Sequence, residues 1–553
     1  MVPMQVLSAA EMQACDQAST ERFGVSSLEL MRAASAAVAA FAREQFPEAR
    51  RVTVLCGRGN NGGDGMMAAR LLAKAGLEVT TLLLAPPDEL KGDAATAWSE
   101  LKKAARASTH VIKEPADLVR HNTALRSDLM IDAVVGTGFK PPLKGLALVA
   151  LEWLKAGAAP ILSVDLPSGW SADSTNATAE GPVFPSHAVI TFTAPKMAHI
   201  FGQLTRHWNQ PVVVAPIGSP SEAIVSSQNL TWAGSSHALT EAPRASDANK
   251  GRFGHVLVIG GSVGKSGAPM MTSLTALRSG AGLVSAAVPA PVLPQVSASA
   301  AELMTIPLAA STSGELAAKG LTPARFEKLI SGKTVIAIGP GLGQGAGTAK
   351  LIATLLSETK LPAVIDADAL NALAANPLLL AKMAKEAKAG RTFVLTPHPG
   401  EMARLVRKSV PEIQANRVDT ARNFARNNGV TLVLKGSRTL IAHPDGSVAV
   451  NTTGNPAMAK GGSGDMLTGL IAALLAQYPG DVASAIEAAV YLHGLAADLA
   501  AHDVDEHTLM ATDSLRFFSQ AFRFRSHRPN GYVWLQGFPA ASVPGTCSHE
   551  AAK

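Results

Sequence analysis

The sequence predicts an α/β protein of two modules, each a mainly parallel sheet layered with helices. Short apolar runs alternate with helical stretches along most of the chain, the pattern of βαβ units. Many of these runs end in glycine-rich or acid-bearing turns, and parallel sheets bind their ligands beyond the carboxyl ends of the strands. The composition is globular: of 553 residues, 47% are hydrophobic, 17% charged and only 5% aromatic, with 48 glycines. At roughly 150 residues per domain the length allows about three to four units, fewer if the α/β domains are large.

The elements follow in order. Residues 1–14 have a helical pattern carrying Glu11 and no basic stretch before it, so no secretory signal is expected. A strand at 52–56 leads into a glycine loop at 57–65 and a helix at 66–75. Strands at 79–84, 129–135 and 161–165 repeat the plan. Between 220 and 249 the pattern lapses into Ser, Ala and Pro, which marks a boundary. The second module has strands at 255–259, 334–338, 363–366, 393–395 and 431–434. A hairpin at 439–450 turns on Pro444, Asp445 and Gly446. The uncharged run 279–301 contains Pro289, Pro291 and Pro294, whereas a bilayer span needs about 20 continuous helical residues; it reads as a buried strand and a loop. The tail carries Pro529, Pro539, Pro544, Gly531, Gly537 and Gly545, so no regular element is expected in it. Its aromatics are expected to pack on the second module while its arginines stay solvated, and truncation after Ser526 is expected to be tolerated.

The net charge of +6 does not signify a nucleic-acid partner. Arg516, Arg523, Arg525, Arg528 and Lys553 stand against Glu550 alone at the C-terminal end, which leaves the body nearly neutral. Neither a nucleic-acid nor a membrane partner is expected. Cys15, Cys56 and Cys547 are far apart and odd in number. They suit neither a disulfide framework nor a cysteine metal site, and they point to a reducing compartment, the cytoplasm.

In the first module Gly57-Arg-Gly-Asn-Asn-Gly62 has the spacing G-x-G-x-x-G after a strand. A dinucleotide site for hydride transfer also needs an acid at the end of the second strand. That strand ends Leu83-Leu84-Ala85-Pro86, so this reading lacks its second support. The glycines let backbone N–H groups approach an anion at a helix start, and Asn60, Asn61 and Asp64 add groups a plain turn does not need. A tight turn braced by Asx side chains is the competing explanation. Asp132 lies within a strand before a second glycine turn at Gly136 and Gly138, and Asp165 ends another strand before Ser168. Any one of these aspartates could cap a helix; together they point to a shared site.

These strings, with Leu7-Ser-Ala-Ala-Glu-Met12 and Asp16 before them, resemble the N-terminal domain of the NAD(P)H-hydrate epimerases over about residues 5–220. The resemblance implies a Rossmann-like three-layer α/β/α fold. It implies that Asn60, Asn61, Gly62, Gly63 and Asp64, with Gly136, Thr137, Gly138, Phe139, Lys140, Pro141 and Pro142, cradle the substrate. Asp165 would meet that substrate and is the expected proton-transfer group. A potassium ion is implied at Asn61, Asp132 and Ser168, where hard oxygen donors suit such a cation.

In the second module Gly260-Gly-Ser-Val-Gly-Lys265-Ser266 misses the Walker A spacing by one residue. Four other strings agree with one another: Gly339-Pro-Gly341-Leu-Gly343, Asp366-Ala-Asp368, Thr396-Pro-His398-Pro-Gly-Glu401, and Gly461-Gly-Ser-Gly464-Asp465 ahead of a helix at 466–475. Backbone N–H groups around Gly464 would form an anion hole, with Asp465 beside it as a base for a hydroxyl proton. This resembles the ribokinase-like fold, and the Thr396–Glu401 string is similar to the ADP/ATP-dependent NAD(P)H-hydrate dehydratases, over roughly residues 240–515. The resemblance implies substrate contacts at Ala268, Gly343, His398 and Asp465. It places the adenine nucleotide at Lys435, Gly436, Ser437, Arg438, Thr439 and Gly464, with ADP as co-substrate and magnesium on its phosphates.

Taken together, the expectation is an epimerase domain at 1–225, an ADP-dependent dehydratase domain at 226–515 and an extension at 516–553. NADHX and NADPHX, the hydrates of NADH and NADPH with a hydroxyl at C6 of the nicotinamide ring, would be the substrates. The first domain would interconvert R and S forms. The second would dehydrate the S form to NAD(P)H, with ADP giving AMP and phosphate. A homo-oligomer is expected. Two rivals stay open: a small-molecule kinase with a non-catalytic first domain, and a nucleotide sensor that binds without turnover.

Overall fold

The computed structural model describes residues 3–540. It forms two compact units, one of Met4–Gln228 together with the segment beginning at Arg525, the other built on Asn229–Phe524.

The first unit contains seven parallel strands: β1 (Arg51–Cys56), β2 (Glu78–Leu83), β3 (Ala107–Val111), β4 (Leu129–Ala133), β5 (Ile161–Val164), β6 (Ala188–Phe192) and β7 (Val212–Ala215). Their order is β7-β6-β5-β4-β1-β2-β3. β4, β5, β6 and β7 are buried at every residue, as strands covered on both faces must be, which is why they read as unbroken apolar runs. The order reverses between β1 and β4, so the crevice for a ligand opens there. The helix expected at 66–75 starts earlier, at Asn60, and runs to Lys74. The Asn-Asn-Gly-Gly-Asp string is therefore its first turn. A Cβ at Gly62 would collide with the Gly57 carbonyl, so only glycine lets the loop fold beneath the helix start.

The second unit is a sheet of ten strands: β8 (Leu230–Trp232), β9 (His255–Ile259), β10 (Leu283–Pro289), β11 (Met304–Leu308), β12 (Val335–Ile338), β13 (Ala363–Ile365), β14 (Phe393–Leu395), β15 (Thr431–Leu434), β16 (Leu440–Ala442) and β17 (Val448–Val450). The order β11-β10-β9-β12-β13-β14-β15-β16-β17-β8 is parallel up to β15, and the β15–β16–β17 pairs are antiparallel. The stretch read as a structureless boundary contains β8, which pairs in parallel with β17 at the sheet edge. The uncharged run becomes β10 and, in place of a loop, a short helical turn over Leu293–Ser297. The helix Val482–Asp503 has the length and hydropathy of a membrane span, but 78% of its most apolar window is buried, and its Glu487 and Asp498 are hydrogen-bonded within the unit. It is a core helix.

The tail departs most from expectation. Residues 525–540 join the first unit, and β18 (Val533–Gln536) pairs antiparallel with β7 as the eighth strand of that sheet. Pro529, Asn530 and Gly531 do not forbid structure; they make the turn, with Gly531 N–H on the Arg528 carbonyl at 2.9 Å and Arg528 N–H on the Tyr532 carbonyl at 2.8 Å. Trp534 packs edge-on to Phe41 at 5.9 Å, and the Tyr532 hydroxyl donates to the Ala37 carbonyl. The aromatics thus cover the first module, not the second. An unpaired edge at β7 would be a template for aggregation, and β18 closes it. Phe522 and Phe524 end the second unit, while Arg528 lies over the Trp534 ring and is half-buried rather than solvated. Cys547, Pro544, Gly545, Glu550 and Lys553 lie outside the described residues.

Candidate active sites

The loops after β1, β4 and β5 and the helix Ala9–Glu21 enclose a cavity of about 1680 Å³ in the first unit. Of the residues expected to cradle a substrate, Asn60, Asn61, Asp64, Gly136, Thr137, Gly138, Phe139, Lys140 and Asp165 line it. Gly62, Gly63, Pro141 and Pro142 do not line it; Gly63 packs on Met31, where a Cβ would lie 2.6 Å from the methyl carbon.

Asp165 follows β5 with φ +65°, a left-handed conformation that a non-glycine residue adopts only when its surroundings impose it. They do impose it. Its carboxylate accepts from the Thr137 N–H (2.8 Å) and hydroxyl on one oxygen, and from the Thr191 hydroxyl (2.8 Å) and Lys196 Nζ (3.0 Å) on the other. Burial alone would raise its pKa, but the Lys196 ammonium and the Thr137 bond hold it well below the usual carboxylate range. A carboxylate so satisfied stays ionised. In this bonded state it fixes Thr137, Thr191 and Lys196 at the cavity wall and does not fit the expected proton-transfer role. Behind it His199 Nδ1 accepts the Lys196 N–H at 3.0 Å, so its Nε2–H donates to the Asp165 carbonyl at 2.7 Å. Burial and the Lys196 ammonium push this imidazole down to about 4, which keeps it neutral.

A second polar centre lies between β4 and β5. Asp132 is fully buried and accepts from Ser168 Oγ (2.5 Å), Ser168 N–H (2.8 Å) and Ser163 Oγ (3.2 Å). Burial raises its pKa to about 6 against these hydrogen bonds. Both polar atoms of the Asn61 side chain are buried without a hydrogen-bond partner. Orphaned amides of this kind are rare in folded proteins and call for an explanation.

In the second unit the motifs converge at the strand ends. Asp366, just past β13, accepts from Lys435 Nζ at 2.8 Å and from the Thr468 hydroxyl at 2.8 Å. Lys435, just past β15, also lies 3.9 Å from Glu401, and a Cβ on Gly464 would be 3.3 Å from its ammonium. The helix Ser463–Gln477 starts on Gly462 at φ +100°. Asp465 is therefore in its first turn, where backbone N–H groups point outward. Burial and the Asp366 carboxylate raise Asp465 to about 7, against the pull of Lys435. The Thr272 hydroxyl bridges the Asp465 and Ala268 carbonyls at 3.0 Å each. Gly343 N–H donates to Asp368 at 2.8 Å. His398 caps the helix Pro399–Val406, with Nδ1 accepting from Gly400 N–H (3.0 Å) and Glu401 N–H (3.3 Å). Ala268, His398, Lys435, Gly464 and Asp465 are thus brought into one network. In the loop Gly436, Ser437, Arg438 and Thr439, the Arg438 side chain turns inward to the Thr452 carbonyl at 2.8 Å, and burial lowers it to about 10. Lys196, Thr191, Asp366 and Thr468 received no role from the sequence; the strand-end position of Asp366 was the available signal, and Lys196 offered none.

Residues 256–519 match the family described as NAD(P)H-hydrate dehydratase, and residues 27–198 match the YjeF-related protein N-terminus. A bifunctional NAD(P)H-hydrate repair enzyme from Moorella thermoacetica is 38% identical over 535 residues, covering 94% of this chain and 97% of its own. This chain belongs to the bifunctional NAD(P)H-hydrate repair enzymes. The Escherichia coli K12 member of that family is 35% identical and covers 93% of each chain. The crystal structure of the Bacillus subtilis ADP/ATP-dependent NAD(P)H-hydrate dehydratase, with ATP and magnesium, is 31% identical with a TM-score of 0.43, covering 53% of this chain and 96% of that one. The repair-enzyme family unites an epimerase domain with a dehydratase domain.

Proposed function

We propose that the first unit interconverts the R and S hydrates of NADH and NADPH, and that the second dehydrates the S form using ADP and magnesium. The supporting observation is the second site: a half-buried Asp465, raised toward neutrality, sits in the first turn of a helix beside Lys435. Asp465 takes the proton of the C6 hydroxyl as its oxygen receives the terminal phosphoryl group of ADP. Lys435 and the N–H groups at the helix start hold the phosphates. Phosphate then leaves in place of hydroxide, and elimination restores the dihydronicotinamide. Magnesium supplies charge neutralisation on the nucleotide, and an ion of this kind needs only one or two protein carboxylates when phosphates provide its other ligands.

The buried Asp132, which has no ammonium or guanidinium beside it among the groups acting on it, and the orphaned Asn61 amide fit a monovalent cation. Asn61, Asp132 and Ser168 would hold potassium, which supplies a fixed positive charge at the β4–β5 end. We also place the protein in the cytoplasm, a reading supported by the free, buried thiols of Cys15 and Cys56. The deciding assay incubates the S hydrate with magnesium and either ADP or ATP. Return of the reduced-nicotinamide absorbance with stoichiometric phosphate, and with AMP from ADP or ADP from ATP, supports the reading. A stable phosphorylated product indicates a kinase, and binding without turnover indicates a sensor.

A further inference from the structure

Carboxyls outnumber basic side chains on the wall of the first unit's cavity, and only Lys196 among the latter is bound to Asp165. Lys196 is only 2% exposed, and its ammonium is fully engaged by Asp165 (3.0 Å), the Thr191 hydroxyl (2.8 Å) and the Phe192 carbonyl (3.3 Å). Asp165 accepts four hydrogen bonds, which fills a carboxylate's roughly four lone-pair sites. Five further carboxyls line the same cavity, Asp16 and Asp64 among them. Inverting a carbon that bears both a hydroxyl and a ring nitrogen requires a group that takes a proton and gives it back. Asp165 is not free to do so.

Asp16 is placed for it. Along the helix Ala9–Glu21, Cys15 and Ser19 face the core, while Met12, Gln13, Asp16, Gln17 and Thr20 line the cavity. The helix entry is fixed to the segment carrying Lys196: Leu7 N–H donates to the Pro195 carbonyl at 3.0 Å, and Ala9 N–H donates to Asp173 at 2.6 Å. The Asp16 carboxyl opens onto the cavity and takes no hydrogen bond from any described residue. We propose that Asp16 is the proton-transfer residue of epimerisation, and that Lys196 is the positioning residue that keeps Asp165 ionised and tunes Asp16. The proposal rests on the epimerase reading of this unit.

The step balances on one carboxylate. Asp16 takes the proton of the C6 hydroxyl; the O–H electron pair becomes the second bond of a C6 carbonyl as the C6–N1 bond breaks onto nitrogen. Asp16 then gives that proton to N1. Rotation of the open aldehyde and the reverse sequence close the ring on the other carbonyl face. Nothing is consumed. The groups bearing on Asp16 suit this task. Although Asp16 is exposed, partial loss of water at its carboxyl, opposed by the Lys196 ammonium and reinforced by the Asp165 carboxylate, raises it to about 6. Asp64 on the helix Asn60–Lys74 and the neighbouring Cys15 thiol also interact with it. The working form is the ionised one, so activity is present above this value and is lost as pH falls through it.

The test follows R-to-S conversion by the full chain without nucleotide, corrected for the spontaneous rate. In the native protein kcat/KM should fall about tenfold per pH unit below about 6. Asp16→Asn should lower kcat by at least about 10²-fold with KM little changed, and abolish the acid limb. Asp16→Glu should restore part of both. Lys196→Gln should move the limb to higher pH, which loss of a purely structural residue would not do. Dehydration of S hydrate by the same samples reports folding of the chain, and a melting curve reports the first unit. Near-native epimerisation by Asp16→Asn, or a limb it retains, overturns the assignment of Asp16. A folded Lys196→Gln protein with an unmoved limb overturns that of Lys196. A native chain that does not epimerise at all sinks the epimerase reading itself, and the proposal with it.

Discussion

At the scale of single residues, the second site separates binding from chemistry. In the proposed mechanism the phosphates are held by backbone and lysine, whereas the base is the Asp465 side chain. Asp465→Asn should therefore abolish dehydration, with a loss of about 10²- to 10⁴-fold, while ADP affinity changes only several-fold. Because Asp465 must be ionised to act and is raised to about 7, native kcat/KM for dehydration should decline as pH falls through that value. Titration calorimetry with ADP and an absorbance assay across pH check both; near-normal turnover by the mutant removes Asp465 from the mechanism. Asp165 was legible in the sequence because it ends an apolar run, and Asp465 because it closes a glycine turn ahead of an apolar helix. The role of Asp165 was not, because its partner Lys196 lies thirty-one residues on in a Pro-Lys-Met string with no motif around it. Hydrogen-bond saturation is a property of the fold, and no local pattern encodes it.

At the scale of elements, β9, β14 and β15 fall where their apolar runs place them, whereas the equally buried β6 and β7 were not read from theirs. Nor were β8 and β18, because each lies at a sheet edge in a stretch rich in Ser, Pro or Gly, where a few apolar residues do not stand out. Their existence depends on a free edge elsewhere in the chain. The position of β18 reverses the expectation for the tail. Truncation after Ser526 removes Tyr532 and Trp534 from the core of the first unit and uncovers the β7 edge. Trp534→Ala alone should cost on the order of 3–5 kcal/mol, lowering the first unit's melting temperature by roughly ten degrees. Truncation should lower it further and promote aggregation. Dehydration should be less affected than epimerisation, since β18 pairs only with the first unit's sheet. Differential scanning calorimetry on both variants checks this; an unchanged melting profile would show that the pairing contributes no stability.

At the scale of the whole molecule, the chain builds the first unit, then the second, then returns to finish the first. Cutting between Gln228 and Asn229 would leave a first unit without its eighth strand, so the independence of the two sites is better tested with full-length chains. Each unit has its own sheet, its own strand-order reversal and its own polar centre, and the bonds around Asp165 and Asp465 all come from within their own units. An S hydrate made at one site can therefore be consumed by any second unit it reaches through solution. We expect Asp165→Ala to slow epimerisation and spare dehydration of pure S hydrate, and Asp465→Asn to do the reverse. Neither variant alone should then turn R hydrate into NAD(P)H faster than spontaneous epimerisation permits. An equimolar mixture of the two, with ADP and magnesium, should restore conversion at a rate that rises with the concentration of both proteins. Recovery of absorbance from pure R hydrate measures this directly. A mixture no faster than the better single variant, although each retains its remaining activity, would mean that the intermediate is not released to solution and that the fusion of the two domains channels it.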